Sequence, residues 1–219
     1  MFDNYELVLH VDRLVGGIPK HPTLIKRWQE AHLKGSEGEP TAEAATDATL
    51  NLLGSQAMDP DEVIEGVWTG FVTIGGKSIA LENRNVKAML KESANIVKTL
   101  KDAQVKGKEV PLRARLAERV FVRPRLIQIM RISDQSGITE PESVERPIHV
   151  MTMRGPRTAL KRTDFVEDVT LTCQLEVLDD GVITEKILRV ILDHASRNGL
   201  GTDRSTGAGT FTYELKKLD

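Results

Sequence analysis

Residues 169–215 constrain the fold more than any other part of the chain. Apolar and polar side chains alternate along residues 169–177, which predicts a strand with one face toward solvent. Thr184 is placed to cap a helix whose apolar side chains recur at helical spacing from Ile187 to Ala195. After a glycine-rich stretch, apolar residues alternate again over 211–215 and predict a last strand.

The N-terminal residues complete a recognisable order of elements. Apolar side chains alternate from Tyr5 to Val11, and Thr23 is a candidate helix cap. A strand–helix start followed by strand, strand, helix and strand predicts an α+β fold with the ferredoxin-like (RRM-like) β-α-β-β-α-β plan. We interpret residues 1–219 as a single domain of this kind.

Two segments extend this plan. Residues 34–49 are acidic, small and poor in core side chains, which predicts a mobile acidic loop. Residues 84–162 are predicted to form a basic elaboration: a helix over 85–100, strands over 119–123 and 126–132, and a hairpin that turns at Gly155-Pro156. Upstream, Gly75-Gly76 indicates a tight hairpin between two short strands.

Charge is sorted along the chain although the total is only −2. Lysines and arginines outnumber acids by ten in residues 84–162, whereas residues 1–83 carry −7 and residues 163–219 carry −5. Such sorting favours a polyanion partner. The alternative is that the acidic flanks fold onto the basic segment and neutralise it.

Cations in the basic segment fall into three groups. Spacings of three, four and seven place Arg84, Lys87, Lys91 and Lys98 on one helical face, which is either a solvated surface or a phosphate-facing one. Residues 113–131 contain six arginines and one acid, and the hairpin tip adds four more cations. The candidate nucleic-acid contacts from the last two groups are Arg123, Arg125, Arg154, Arg157, Lys161 and Arg162.

The glycine-rich stretch "NGLGTDRSTGAGTF" lies between the last helix and the last strand. Four glycines within eleven residues indicate either several sharp turns or close approach to the backbone. A phosphate-binding P-loop has the opposite order, with the glycines between a strand and the helix that follows it. The order found here therefore argues against nucleotide-cofactor binding, and we predict no cofactor.

The spacing G-x-G-x-x-R-x-x-G-x-G before an aromatic strand resembles the glycine-rich loop of the RAMP superfamily, the ferredoxin-like RNA-binding subunits of CRISPR systems. The residues that match are Gly199, Gly201, Arg204, Gly207, Gly209 and Phe211. The helix "NVKAMLKESA" is also similar to one of that family, with Lys91 at its basic position. The terminal loop, with "GG-x-P" and "W-x-GF" patterns upstream, further resembles an uncharacterised phage-encoded family. The RAMP resemblance implies RNA binding through the glycine loop and basic surfaces, often in filaments along single strands.

Catalysis has few candidates in this sequence. Cys173 is the only cysteine, so an intramolecular disulfide and a cysteine-based metal site are excluded. The five histidines show no metal-binding spacing, and we predict no metal. His149 beside the basic hairpin and His10 on the first strand are the best placed to act as a general acid or base, with a structural role as the alternative for each.

Three hypotheses follow for function. The first is a non-catalytic binder of single-stranded RNA or DNA that forms homo-oligomers or joins a ribonucleoprotein. The second is a protein-interaction module in which acidic residues 34–65 of one copy dock on the basic segment of another. The third is a metal-independent endoribonuclease. The chain shows neither a membrane-spanning apolar run nor a signal-peptide pattern, so we expect a cytoplasmic protein without membrane contact.

Overall fold

The computed structural model describes residues 1–20, 67–105, 107–152 and 155–218, and of residues 67, 149–152 and 155–159 it describes the backbone alone. This part of the chain is a mixed α+β fold with a mostly-sheet core. Its strands are β1 (Phe2–Val15), β2 (Ile18–Pro19), β3 (Val67–Gly70), β4 (Val72–Ile74), β5 (Ser78–Glu82), β6 (Val120–Arg123), β7 (Leu126–Arg131), β8 (Glu142–Thr152), β9 (Gly155–Leu178) and β10 (Phe211–Leu218). Its helices are α1 (Asn83–Val97), α2 (Leu112–Arg119) and α3 (Glu185–Asn198). The predicted helix after Thr23 and the predicted acidic loop lie outside the described residues.

One compact unit comprises Met1–Gly16, Phe71–Glu142 and Phe165–Asp219. Its sheet has the strand order β10-β1-β9-β7-β5-β4, and β6 also pairs with β9. β1 is antiparallel to both of its neighbours, β9 and β10. The predicted first strand, the hairpin at Gly75-Gly76 and the last strand are confirmed.

Alternation along β1 sets the inner face of this sheet. Tyr5, Leu7, Leu9 and Val11 are buried, and the residues between them are half-buried. Burial of each such aliphatic side chain contributes about 1.5–3 kcal/mol. The inner face therefore carries the helices, and the outer face remains open to polar side chains.

The helices α1 and α3 pack on one another as well as on the sheet. Thr184 caps α3 by accepting a hydrogen bond from the Ile187 amide at 3.4 Å, as predicted. Gly199 ends the helix with φ +88°, a conformation that side-chain-bearing residues rarely adopt. His194 of α3 and Ser93 of α1 are linked by a hydrogen bond of 3.1 Å.

Two features of the basic segment differ from the prediction. Residues 112–118, for which no element was predicted, and Arg119, predicted as the start of a strand, form α2, because Leu112 and Leu116 lie one turn apart and are both buried. The return arm of the basic hairpin and the strand over 169–177 are a single 24-residue strand, β9. The arm and the strand looked separate in the sequence because the cationic residues 157–162 interrupt the apolar pattern.

A second compact unit comprises Gly17–Gly70 and Ser143–Asp164. In its described residues β2 is antiparallel to β3, β3 runs parallel to β9, and β8 also pairs with β9. Trp68 of β3 lies opposite Arg162 of β9 in this register.

Asp164 is a buried acidic residue of the second unit with two hydrogen-bond donors. Its buried carboxylate accepts hydrogen bonds from the Trp68 indole at 2.8 Å and from the Ser143 hydroxyl at 2.7 Å. Gly70 lies so close that a Cβ there would be 2.3 Å from an oxygen of Asp164. The glycine of the sequence pattern W-x-G-F is thus required by a buried carboxylate.

Candidate nucleic-acid interface

A cationic groove lies between α1 and α2 in the first unit. We call it the α1–α2 groove, and its volume is about 350 Å³. The residues that line it are Lys91 and Asn95 of α1, Lys98 directly after that helix, and Pro111, Leu112, Arg113, Ala114 and Ala117. No carboxylate is among these lining side chains.

Helical spacing explains why these side chains share the groove. Lys91, Asn95 and Lys98 are four and three residues apart and therefore lie on one face of α1. On α2, Arg113 and Ala117 are four apart and flank the buried leucines. The two apolar stripes bring the helices together, and the cations line the seam at the surface.

Within the described residues the three groove cations have no counter-charge of their own. Lys91, Lys98 and Arg113 form no ion pair with any carboxylate in the described parts of the chain. Three like charges along one seam repel one another, and an anion that binds there relieves the repulsion. A row of phosphates is the polymeric anion that matches a row of cations.

Other cations of the basic segment are paired with acids. Arg84 pairs with Glu82, and Arg123 lies 3.7 Å from Glu176. Arg119 bonds Asp180 at 2.7 Å, which lowers the pKa of that carboxyl through the hydrogen bond. The acidic C-terminal flank thus neutralises part of the basic segment and leaves the α1–α2 groove positive. Arg125 is exposed between β6 and β7.

Lys87 is directed into the protein. Its ammonium donates hydrogen bonds to the carbonyls of Leu116 and Ala117 in the last turn of α2 and to that of Val120, which follows the helix. Burial, followed by the proximity of Lys91, lowers the pKa of Lys87 to about 8. Lys87 therefore anchors α2 against α1 at one end of the groove.

The predicted hairpin cations are only partly within the described residues. Arg154 lies outside them, and Arg157 has its backbone alone described. Lys161 is half-buried on β9. The guanidinium of Arg162 lies 4.5 Å from the centre of the Trp68 ring and donates to the Ser143 hydroxyl at 3.1 Å.

The glycine loop is packed against its own backbone. A Cβ on Gly209 would lie 2.0 Å from the Leu200 carbonyl oxygen, and one on Gly199 would lie 2.7 Å from that of Ala208. A Cβ on Gly201 would lie 2.9 Å from the carbonyl oxygen of Val15 at the end of β1. Gly207 alone of the loop glycines faces open space.

Hydrogen bonds fix the same loop. The Gly209 amide donates to the Arg13 carbonyl at 2.7 Å, and the Leu200 amide donates to the Gly209 carbonyl at 2.8 Å. Arg204 forms an ion pair with Glu92 of α1. Both interpretations of the glycines are confirmed: all four have positive φ where the loop turns, and three of them are closely approached by backbone of the chain itself.

The two catalytic candidates differ in what is described. His10 on β1 contacts the Thr170 hydroxyl at 3.1 Å and lies 4.0 Å from Glu214. The side chain of His149 is not among the described ones. In the described residues no three histidine, cysteine or acidic side chains are grouped so that they could hold a metal ion.

Arg113 is the groove cation that was not among the predicted nucleic-acid contacts. The six-arginine segment drew attention to it, but without α2 there was no reason to align it with Lys91 and Lys98. Pro111 followed by two leucines four residues apart is the signal that could have revealed the helix.

No family model matches the chain, and no curated protein matches it. Two solved structures with a similar chain are a cryo-EM structure of the Type III-B Cmr-beta bound to cognate target RNA and a Type IV-B CRISPR complex. The first match has 13% identity and a TM-score of 0.41, and covers 99% of this chain and 61% of that one. The second has 7% identity and a TM-score of 0.46, and covers 97% and 90%. The chain thus spans about three-fifths of the length of the first. Within the described ranges, no helix is both long and apolar enough to span a membrane.

Proposed function

We propose that the protein is a RAMP-like, non-catalytic binder of single-stranded nucleic acid, RNA in preference to DNA, acting in the cytoplasm. The observation that carries the proposal is the α1–α2 groove, where Lys91, Lys98 and Arg113 share one seam and no carboxylate neutralises them in the described residues. The preference for RNA rests on the resemblance of the glycine-loop spacing, from Gly199 to Gly209, to that of the RAMP superfamily.

The shape of the groove favours a phosphate chain over a compact anion. Lys91 and Lys98, the residue that caps the C-terminus of α1 with helical φ and ψ, are seven residues apart and so about 10 Å apart along the helix axis. Asn95 lies between them and can donate to a phosphate oxygen. Contacts of this kind hold a backbone and carry no base information, so we propose binding with little sequence preference.

A seam between two packed helices also favours a single strand. One chain of sugar and phosphate can lie along this seam. A duplex is wide and stiff, so it would touch only the rim of the groove. We therefore propose that double-stranded DNA binds more weakly than a single strand of the same length.

The proposed ferredoxin-like arrangement is supported by four strands of the first unit. They follow the order β10, β1, β9, β6, and each adjacent pair is antiparallel. In chain order α1 and α2 lie between β1 and β6, and α3 lies between β9 and β10. We propose further that copies of the chain, or other protein subunits, assemble along the bound strand.

Fluorescence anisotropy tests the proposal. Labelled 12-nucleotide single-stranded RNA and DNA, and a duplex of the DNA, are titrated with the full chain at low salt. We expect the affinity to decrease in the order RNA, single-stranded DNA, duplex. We also expect the freshly purified chain to carry co-purified nucleic acid, seen as raised absorbance at 260 nm relative to 280 nm. No binding to any of the three would contradict the proposal, and intact labelled RNA after incubation separates binding from cleavage.

A further inference from the structure

Two aromatic side chains of the first unit are exposed to solvent. The rings of Phe2 and Phe121 are 49% and 41% exposed and lie edge to face, with centres 6.0 Å apart and planes at 71°. Large aromatic side chains are usually buried when the fold allows it. The other phenylalanines among the described residues, which are all buried, are Phe71, Phe165 and Phe211.

Nothing in β6 requires an aromatic residue at position 121. Burial alternates along this strand, so Phe121 and Arg123 are both on its exposed face, where a polar residue would serve equally well. Opposite Phe121 in the register is Glu176, whose carboxylate lies 3.7 Å from Arg123. The exposed ring pair is therefore not bordered by an uncompensated negative charge on that side.

The ring pair is connected to the α1–α2 groove through Lys87. Lys87 links the two: its ammonium is 5.5 Å from the centre of the Phe121 ring and donates to the carbonyl of Ala117, which lines the groove. Lys91, the first groove cation, is one helical turn from Lys87. The ammonium of Lys87, which is held by backbone carbonyls, therefore lies between the groove and the exposed rings.

We propose that Phe121 and Phe2 form a stacking platform for an unpaired base of the strand whose phosphates lie in the groove. The inference rests on the proposed function and adds a contact to the base itself. The groove cations contact phosphates and not bases. An aromatic ring, in contrast, stacks with any of the bases. The platform thereby distinguishes a single strand from a duplex, whose bases are already stacked.

The test compares a normal strand with an abasic one. Phe121→Leu keeps the apolar volume next to Phe2 and removes the aromatic face, Phe121→Tyr keeps the face, and Ile132→Ala changes an exposed apolar side chain elsewhere on the unit. Binding of labelled 12-nucleotide oligoadenylate DNA and of its abasic counterpart is measured by anisotropy for each full-length variant. We expect Phe121→Leu to weaken oligoadenylate binding by about 5- to 150-fold and to leave the abasic strand unaffected.

The matched variants decide the outcome. Phe121→Tyr and Ile132→Ala should bind both strands as the parent chain does, and Phe2→Leu should weaken oligoadenylate alone. Unchanged oligoadenylate binding by both leucine variants would overturn the platform and leave the rings as a protein-contact surface. An equal loss of affinity for the oligoadenylate and the abasic strand would overturn it too. In both cases the groove proposal stands. If the parent chain binds neither strand, both proposals fail.

Discussion

Replacing Lys91, Lys98 and Arg113 together by glutamate is expected to weaken single-stranded RNA binding by more than about 100-fold at low salt. These three side chains line the α1–α2 groove and have no carboxylate partner in the described residues, so their full charge is available to an anion. Reversal replaces three attractions by three repulsions. The measurement is anisotropy with the labelled 12-nucleotide RNA.

A matched variant controls for net charge. Lys77, Arg197 and Lys216 are exposed, lie outside the groove and form no ion pair in the described parts of the chain, so their triple replacement by glutamate gives the same change in total charge. We expect this variant to lose less than about 10-fold, because only the long-range field changes. Equal losses in the two triple variants would show that RNA responds to total charge and not to the groove.

Replacing Gly209 by alanine is expected to reduce the free energy of unfolding by more than about 3 kcal/mol. The new Cβ would lie 2.0 Å from the Leu200 carbonyl oxygen and 2.6 Å from its nitrogen, and both are backbone atoms. The position also has φ +82°, which alanine adopts at a further cost of about 1–2 kcal/mol. Urea unfolding followed by circular dichroism measures the loss.

Gly207 provides the comparison within the same loop. Its φ is +87°, but nothing lies within 4 Å of its Cβ position, so Gly207→Ala should cost only the conformational term of about 1–2 kcal/mol. If the two variants unfold at the same urea concentration, Gly209 does not pack against Leu200. The loop would then be open, as a loop that receives a phosphate backbone would be.

The sequence predicted the elements whose hydrophobic period is clean. β1, the later part of β9, α3 and β10 all follow from period-two or helical alternation, and the Thr184 cap and the Gly199 stop are local signals. α2 was missed because only Leu112 and Leu116 mark its buried face, and arginines fill the positions between and around them. The continuity of β9 was missed because strand pairing, a tertiary effect, overrides its cationic stretch.

The functional surface was predictable only in part. Helical spacing identified Lys91 and Lys98, since that information is local to α1. Which cations lie beside a distant acid was not predictable, because Asp180 and Glu176, which pair with Arg119 and Arg123, are far away in the chain. The role of the loop glycines also depends on tertiary contacts, since the backbone they approach includes the end of β1.

The salt dependence of RNA binding tests the central claim most directly. The dissociation constant of the 12-nucleotide RNA is measured across a salt series for the parent chain and for a variant with glutamine at positions 91, 98 and 113. Each phosphate contact contributes about −0.7 to the slope of log K against log salt, so three lost contacts should make the slope shallower by about 2. A slope that is the same in both proteins would contradict the claim that a phosphate chain lies in the α1–α2 groove.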